Sequence, residues 1–252
     1  TQTASLGTNR TAVAISAGNT HTCAVLDDGS VACWGRDNGG KLGNGSGTDR
    51  HTPTQTASLG AGKTAVALSV GGDHTCTVLD DASVACWGYN GIGQLGDGTQ
   101  TSRNTPTLPA GFRATTAVAI SAGGIHTCAI LVDGSVACWG YNGNGQLGDG
   151  TTTDRFIHRP TVSLGTGRTS VTISSGLYHT CATLDDGSVA CWGHNAFAQL
   201  GDGTTTYRIT PTQTASLGTG RTAVAIAAGA YHTCAILDDG TVSCWGSNGN
   251  GQ

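Results

Sequence analysis

The stretch His21-Thr22-Cys23-Ala24-Val25-Leu26-Asp27-Asp28-Gly29-Ser30-Val31-Ala32-Cys33-Trp34-Gly35 returns four more times along the chain. His74, His126, His179 and His232 open the copies, and Trp87, Trp139, Trp192 and Trp245 close them. The histidines are 53, 52, 53 and 53 residues apart. A period of that size marks a repeat architecture. Each copy reads as a β-hairpin. Asp27-Asp28-Gly29 makes a three-residue turn with glycine at the left-handed position, where a Cβ is disfavoured. That turn sets Leu26 opposite Ser30, Val25 opposite Val31, Ala24 opposite Ala32 and Cys23 opposite Cys33.

Directly opposed residues lie within the span of a disulfide. The register therefore predicts Cys23–Cys33, Cys76–Cys86, Cys128–Cys138, Cys181–Cys191 and Cys234–Cys244, which uses all ten cysteines. Each bridge closes a short loop, worth about 2–3 kcal/mol in the loop-entropy model. A metal reading of His21, Cys23 and Cys33 on one strand face supplies only three ligands, at spacings unlike zinc sites. In the second copy Ala82 replaces the turn glycine, so this turn is expected to differ.

The 252 residues include 41 glycines, no methionine and few aromatics or charges. Almost no helix is expected. A net charge of −4 gives no electrostatic footprint for nucleic acid or an anionic membrane. No apolar run approaches the ~20 residues of a membrane helix, so neither nucleic-acid binding nor membrane insertion is expected. Five disulfides imply an oxidising, extracellular or cell-surface location. The chain starts without methionine and without a signal peptide, as in a processed form or an excerpt. Asn9 and Asn44 fit the N-glycosylation pattern.

Each unit holds four strand candidates. The first is Thr-Pro-Thr-Gln-Thr-Ala-Ser-Leu, at Thr52–Leu59 and Thr210–Leu217, and the chain opens inside it at Thr1–Leu6. The second is Thr11–Ser16, alternating small and branched residues as a half-buried strand does. The hairpin supplies the third and fourth. Glycine-rich connectors such as Tyr141–Gly150 follow. Four antiparallel strands per repeat suit the blades of an all-β propeller. The expectation is one domain over residues 1–252, with five four-stranded blades at approximately 1–51, 52–104, 105–159, 160–209 and 210–252, and one disulfide per blade.

Gly-x-x-His-Thr-Cys-Ala, Leu-x-Asp-Gly-Ser-Val-Ala-Cys-Trp-Gly and Asn-Gly-x-Gly-Gln-Leu-Gly-Asp-Gly closely resemble the regulator-of-chromosome-condensation repeat, five times over and across essentially the whole chain. The resemblance implies a β-propeller. Family members usually have seven blades, so a closed five-bladed ring, an arc of a longer array and subunits joined end to end all fit this chain. The paired cysteines look like those of secreted bacterial members. Nucleotide exchange, known in the founding member, is disfavoured by the predicted disulfides and the lack of a basic tail.

No catalytic constellation and no cofactor site emerges. The repeated histidines are expected to bond a neighbouring blade's backbone, and the tryptophans to fill the gaps between blades. The Gly-Asp-Gly-Thr connectors are similar to calcium loops. Asp149–Asp154 offers only two carboxylates, however, and Tyr207 stands where Asp154 does. One rim is expected to carry mixed charge, from Arg10, Lys63, Arg113, Arg168 and Arg221 against the Asp27 and Asp28 turn and its counterparts. That ring reads as a solvated surface or as a self-complementary stacking face. The other rim holds the residues that differ most between repeats: Asn19, Thr20, Arg36, Asp73, Tyr89, Ile125, Tyr141, Tyr178, His194, Phe197 and Tyr231. Phe156–Arg159 reads as an interruption of the third period. Exposed aromatics on a rigid scaffold are what an interface uses. The reading is a non-enzymatic extracellular scaffold that binds a protein partner or assembles with itself. The alternatives are a multivalent glycan-binding lectin and an inhibitor of a secreted enzyme.

Overall fold

A computed structural model describes residues 5–112 and 115–252. Blade 1 contains β1 (Ala12–Ala17), β2 (His21–Leu26), β3 (Val31–Gly35) and β4 (Arg50–Gln55). Blade 2 contains β5 (Ala65–Val70), β6 (His74–Leu79), β7 (Val84–Gly88) and β8 (Arg103–Thr107). Blade 3 contains β9 (Ala117–Ala122), β10 (His126–Leu131), β11 (Val136–Gly140) and β12 (Arg155–Pro160). Blade 4 contains β13 (Ser170–Ser175), β14 (His179–Leu184), β15 (Val189–Gly193) and β16 (Arg208–Gln213). Blade 5 contains β17 (Ala223–Ala228), β18 (His232–Leu237) and β19 (Val242–Gly246). Each blade is an antiparallel sheet, in sequence order from one edge to the other.

The hairpin register is the expected one, with Thr22 opposite Trp34, Cys23 opposite Cys33 and Val25 opposite Val31. All five cysteine pairs form disulfides, with Cα atoms 4.1 Å apart. The turn closes by Leu26 N–H to Ser30 C=O (2.8 Å) and Gly29 N–H to Leu26 C=O (2.9 Å), with Gly29 at φ 75°. The second copy keeps this turn. Ala82 takes the left-handed place at φ 62°, and its N–H reaches Leu79 C=O at 2.8 Å. Its Cβ costs about 1 kcal/mol there, less than loss of the register would.

One phase differs from expectation. The Thr-Pro-Thr strand belongs to the blade before it, because the connector reverses the chain and returns it beside the tryptophan strand. Gly35 thus pairs with Arg50 and Cys33 with Thr54. Phe156–Arg159 interrupts nothing, since it lies inside β12, the fourth strand of blade 3. Blade 5 has three strands among the described residues, not four.

The core lies between blades. On one face of blade 3, Cys128, Ile130, Val136 and Cys138 meet Leu184, Ala190 and Trp192 of blade 4, with Leu147 from the connector between them. The same layer repeats around Trp87, Trp139 and Trp245. Trp87, Trp139 and Trp192 are fully buried. Trp34, on the outward face of blade 1, is half-buried against Leu6, Ala24, Leu26 and Ala32.

Hydrogen bonds tie each layer. The Gln94 carbonyl, in the connector of blade 2, accepts from the Thr127 hydroxyl (2.9 Å) and the Trp139 indole (2.9 Å) of blade 3. His74 Nε2 lies 2.7 Å from Thr127 Oγ1. Lys41, Gln146 and Gln199 carbonyls do the same for the next threonine and tryptophan. His21, His126 and His179 complete those layers. The histidine partner is therefore a threonine hydroxyl, not the backbone. Because that hydroxyl gives its one proton to the carbonyl, it must accept from Nε2–H. Nδ1 has no partner among the described residues in His21, His74, His126 and His179. The Gly-x-x-His glycine leaves room for the ring, since a Cβ at Gly123 would fall 2.5 Å from His126 Cε1.

Connectors are held by an asparagine. Asn90 Nδ2 donates to Asp97 Oδ1 (3.0 Å), Thr99 C=O (3.0 Å) and Thr101 C=O (3.1 Å), while Oδ1 accepts from Leu95 N–H (2.9 Å). Asp97 Oδ2 pairs with Arg103 at 2.7 Å. Blades 3 and 4 repeat this with Asn142, Asp149 and Arg155, and with Asn195, Asp202 and Arg208. The aspartates that suggested calcium are thus committed to arginine and threonine. In blade 1 the pair is exchanged. Asp37 and Asn44 stand in place of Asn90 and Asp97, and Asp37 Oδ2, Asn44 Nδ2 and Arg50 Nε have no partner among the described residues.

Two predictions follow from these networks. Restoring the order with D37N/N44D should stabilise the chain by roughly 1–3 kcal/mol. N44D alone should destabilise it by bringing two carboxylates together. A denaturant double-mutant cycle measures both, and equal gains from N44D and the double variant would contradict the assignment. Burial, the largest cause, lowers the pKa of His21, His126 and His179 from 6.5 to about 3 and of His74 to about 4. Below pH 6.5 the unfolded chain takes protons that the folded chain refuses. Stability is therefore full above 6.5 and falls with pH, by up to ~1.4 kcal/mol per unit per histidine. Urea midpoints between pH 7.5 and about 4.5, above most carboxylate titration, should fall steadily. A flat profile would contradict buried neutral imidazoles.

Candidate functional site

Strand alternation gives the propeller two rims. On one, the β2–β3 turns meet the links between blades. Arg10 pairs with Asp28 (2.5 Å), Lys63 with Asp81 (2.7 Å), Arg168 with Asp186 (2.7 Å) and Arg221 with Asp239 (2.9 Å). Arg113 lies outside the described residues. Mixed charge runs along this rim among the described residues. Each cation is neutralised within its own blade, and exposed pairs of this kind contribute ~0–1 kcal/mol.

The other rim joins the β1–β2 loops to the connectors, which bond each other through Arg36 N–H to Thr20 C=O and its repeats. At its centre is a cavity of about 310 Å³ lined largely by glycine and alanine, with Asn19 and Leu177 at the margin. Here the candidate residues separate into groups. Asp73 and Thr20 each bond Lys41, while Thr20 stays exposed and the Asp73 side chain is 46% exposed. The Lys41 side chain, almost wholly buried, crosses the first interface to the Asp73 carboxylate and to Thr20 Oγ1 (2.9 Å). Arg36 is exposed and Ile125 half-buried. Tyr89, 42% exposed, lies over its own connector, where a Cβ at Gly91 would fall 2.1 Å from the tyrosine hydroxyl.

Tyr141, Tyr178, His194, Phe197 and Tyr231 converge into one patch spanning blades 3 to 5. Tyr178 has ring centroids 6.2 Å from Tyr141 and 6.4 Å from Tyr231. His194 touches Phe197 (6.0 Å) and Tyr231 (5.9 Å), and Phe197 meets Tyr231 edge to face at 5.2 Å. Tyr207 completes the patch at 4.6 Å from His194. Sequence comparison noted Tyr207 only as an argument against calcium. Its column of the repeat, otherwise Asp49, Ser102 and Asp154, was the available signal. Phe197 is 50% exposed and Tyr207 43%. His194 Nδ1 and the Gln199 side-chain amide lie 2.7 Å apart, and burial lowers the imidazole pKa. The patch is therefore neutral, aromatic and edged with phenol hydroxyls.

The end flanks also expose apolar side chains. Val242 (63% exposed) and Ile236 (46%) hold the positions that Val31, Val84, Val136 and Val189, and Val25, Val78 and Ile130, bury between blades elsewhere. No group of three or more His, Cys, Asp or Glu side chains that could hold a metal is found among the described residues.

The chain matches the family model of the RCC1-like domain over residues 1–252. It is 31% identical over 238 residues to the Ultraviolet-B receptor UVR8 of Arabidopsis thaliana, covering 94% of this chain and 53% of that protein. It is 30% identical over 242 residues to the E3 ubiquitin-protein ligase HERC2 of Homo sapiens, covering 95% of this chain and 5% of that protein. The chain thus spans about half or less of the length of these relatives. Human WBSCR16 superposes with a TM-score of 0.80 at 22% identity, over 96% of this chain and 59% of that one. Yeast RCC1 (Prp20), in its complex with Kap60, superposes with a TM-score of 0.79 at 23% identity, over 93% and 56%. At these identities the likeness is one of fold. By sequence, repeat and architecture, the chain belongs to the RCC1-like domain family of β-propellers.

Proposed function

We propose that this chain is a secreted, non-enzymatic scaffold whose rim of β1–β2 loops and connectors holds a protein partner. The observation that carries the reading is the neutral aromatic patch on that rim, exposed while the opposite rim neutralises its own charges. Rings fixed by a rigid scaffold bury large area at low entropic cost, as binding surfaces require. Support for a protein partner comes from a family member, since yeast RCC1 (Prp20) is bound by Kap60. Support for secretion is the five disulfides, which persist in oxidising compartments. The scaffold acts by binding, whether as an adaptor or as an inhibitor of a secreted enzyme.

The flanks favour a second reading, assembly with a further blade of the same repeat from another copy. Val242 and Ile236 offer the half of the between-blade layer that Trp34 and Thr22 would fill. Among the described residues, the Thr22 hydroxyl and Trp34 indole make none of the carbonyl bonds that their counterparts make.

The test is quantitative affinity capture from culture medium of the producing organism with three baits: the native chain, F197A/Y231A on the patch, and R168A/D186A on the opposite rim. The expected result is a partner retained by the native and R168A/D186A baits and lost by F197A/Y231A. A partner lost only by R168A/D186A would overturn the choice of rim. Multi-angle light scattering across concentration tests the second reading, which predicts end-to-end oligomers that V242D disperses.

A further inference from the structure

Blade 4 gives up local stability at the patch. In blades 1, 2 and 3 the first connector N–H donates to a side chain: Asp37 to Asp49 (2.8 Å), Asn90 to Ser102 (3.2 Å) and Asn142 to Asp154 (2.7 Å). In blade 4 this acceptor is replaced by Tyr207, whose ring turns to His194 instead. Ala198 also holds the left-handed place, φ 60°, that Gly40, Gly93 and Gly145 hold elsewhere. A lost side-chain cap costs about 1 kcal/mol and a left-handed alanine a similar amount. Local rules broken together beside an exposed feature mark a functional site.

The shape of the patch narrows the ligand. Its rings form a continuous track from Tyr141 through Tyr178 to Tyr231 and Phe197, with successive centroids 5.2–6.4 Å apart. Neighbouring planes are inclined at 40–64°. The surface is corrugated, not a row of flat open faces on which sugar rings stack one by one. It carries no free charge, because Arg208 is held by Asp202 and His194 is neutral at pH 7. A polyproline II segment fits such a track. It rises ~3.1 Å per residue, is ordered before it binds, and presents pyrrolidine ridges and unpaired carbonyls to aromatic rings and phenol hydroxyls.

We propose that the aromatic track of blades 3 to 5 docks a proline-rich, uncharged segment of the partner protein. This rests on the protein-binding reading of the same rim and names the segment it takes. Pyrrolidine faces lie between the tilted rings, and the peptide carbonyls accept from the Tyr178 and Tyr231 hydroxyls. Specificity is then for backbone conformation more than for side-chain charge, so binding is weakly dependent on salt.

Fluorescence anisotropy of a labelled ten-proline peptide tests this. A Gly-Ser peptide of equal length and a neutral hexasaccharide serve as controls. The expected result is saturable binding of the proline peptide alone, weakened about tenfold or more by Phe197→Ala and unchanged by Arg168→Ala on the opposite rim. Tyr207→Asp keeps the test independent of folding. It restores the connector cap, so its thermal midpoint should equal or exceed that of the native chain while peptide affinity falls. Hexasaccharide binding without peptide binding would assign the track to a glycan and overturn the proposal, as would peptide affinity unaffected by Phe197→Ala and Tyr207→Asp. If no peptide binds but the captured partner still depends on Phe197 and Tyr231, the proline-rich segment fails and the protein-binding rim stands.

Discussion

One carbonyl per connector couples each blade to the next. The Lys41, Gln94, Gln146 and Gln199 carbonyls each accept from a threonine hydroxyl and a tryptophan indole of the following blade. An unpaired buried donor costs ~1–3 kcal/mol, so the tryptophan can be dry only if the connector places that carbonyl correctly. The connector is in turn set by the asparagine at its start, or by Asp37 in blade 1, and the histidine closes the layer from the other side. Fold and packing are therefore one constraint repeated four times. It explains why residues far apart in the period, from Gly-x-x-His to Gln-Leu-Gly, recur together.

That constraint leaves one region free. The two residues before the histidine and the one directly after Trp-Gly point out of the layers and can change without disturbing a carbonyl. Lys41 shows the limit of this freedom. It replaces the glutamine whose carbonyl is used, and its buried side chain then requires Asp73 and Thr20 as partners at the edge of the rim. Blades 3 to 5 used the freedom differently and gathered rings. The disulfides widen the latitude, because each hairpin is stapled at its centre whatever its ends do.

Much of this was legible in the sequence because it is short-range. A three-residue turn fixes the register from Leu26–Ser30 to Cys23–Cys33, and the same alternation puts Arg10 beside Asp28. The strand phase was not legible. Arg50–Gln55 returns to its own hairpin because the connector reverses the chain, and no local propensity records the direction of that reversal. The histidine's partner was missed for a similar reason, since Thr127 lies 53 residues from His74. Of the binding rim, the aromatic residues were legible as differences between repeats. Their convergence, the pairing of Asp73 and Thr20 with Lys41, and the membership of Tyr207 all depend on which loops meet across blades.

The most direct test of this account is hydrogen exchange of the indole N–H groups in this 252-residue chain, resolved by NMR. Trp87, Trp139 and Trp192 should be protected to nearly the global unfolding free energy, because their donors are buried on connector carbonyls. Trp34, half-buried and without such a carbonyl, should exchange orders of magnitude faster. Equal protection of all four would mean that the blades are not held by the connector carbonyls, and the account would fail at its foundation.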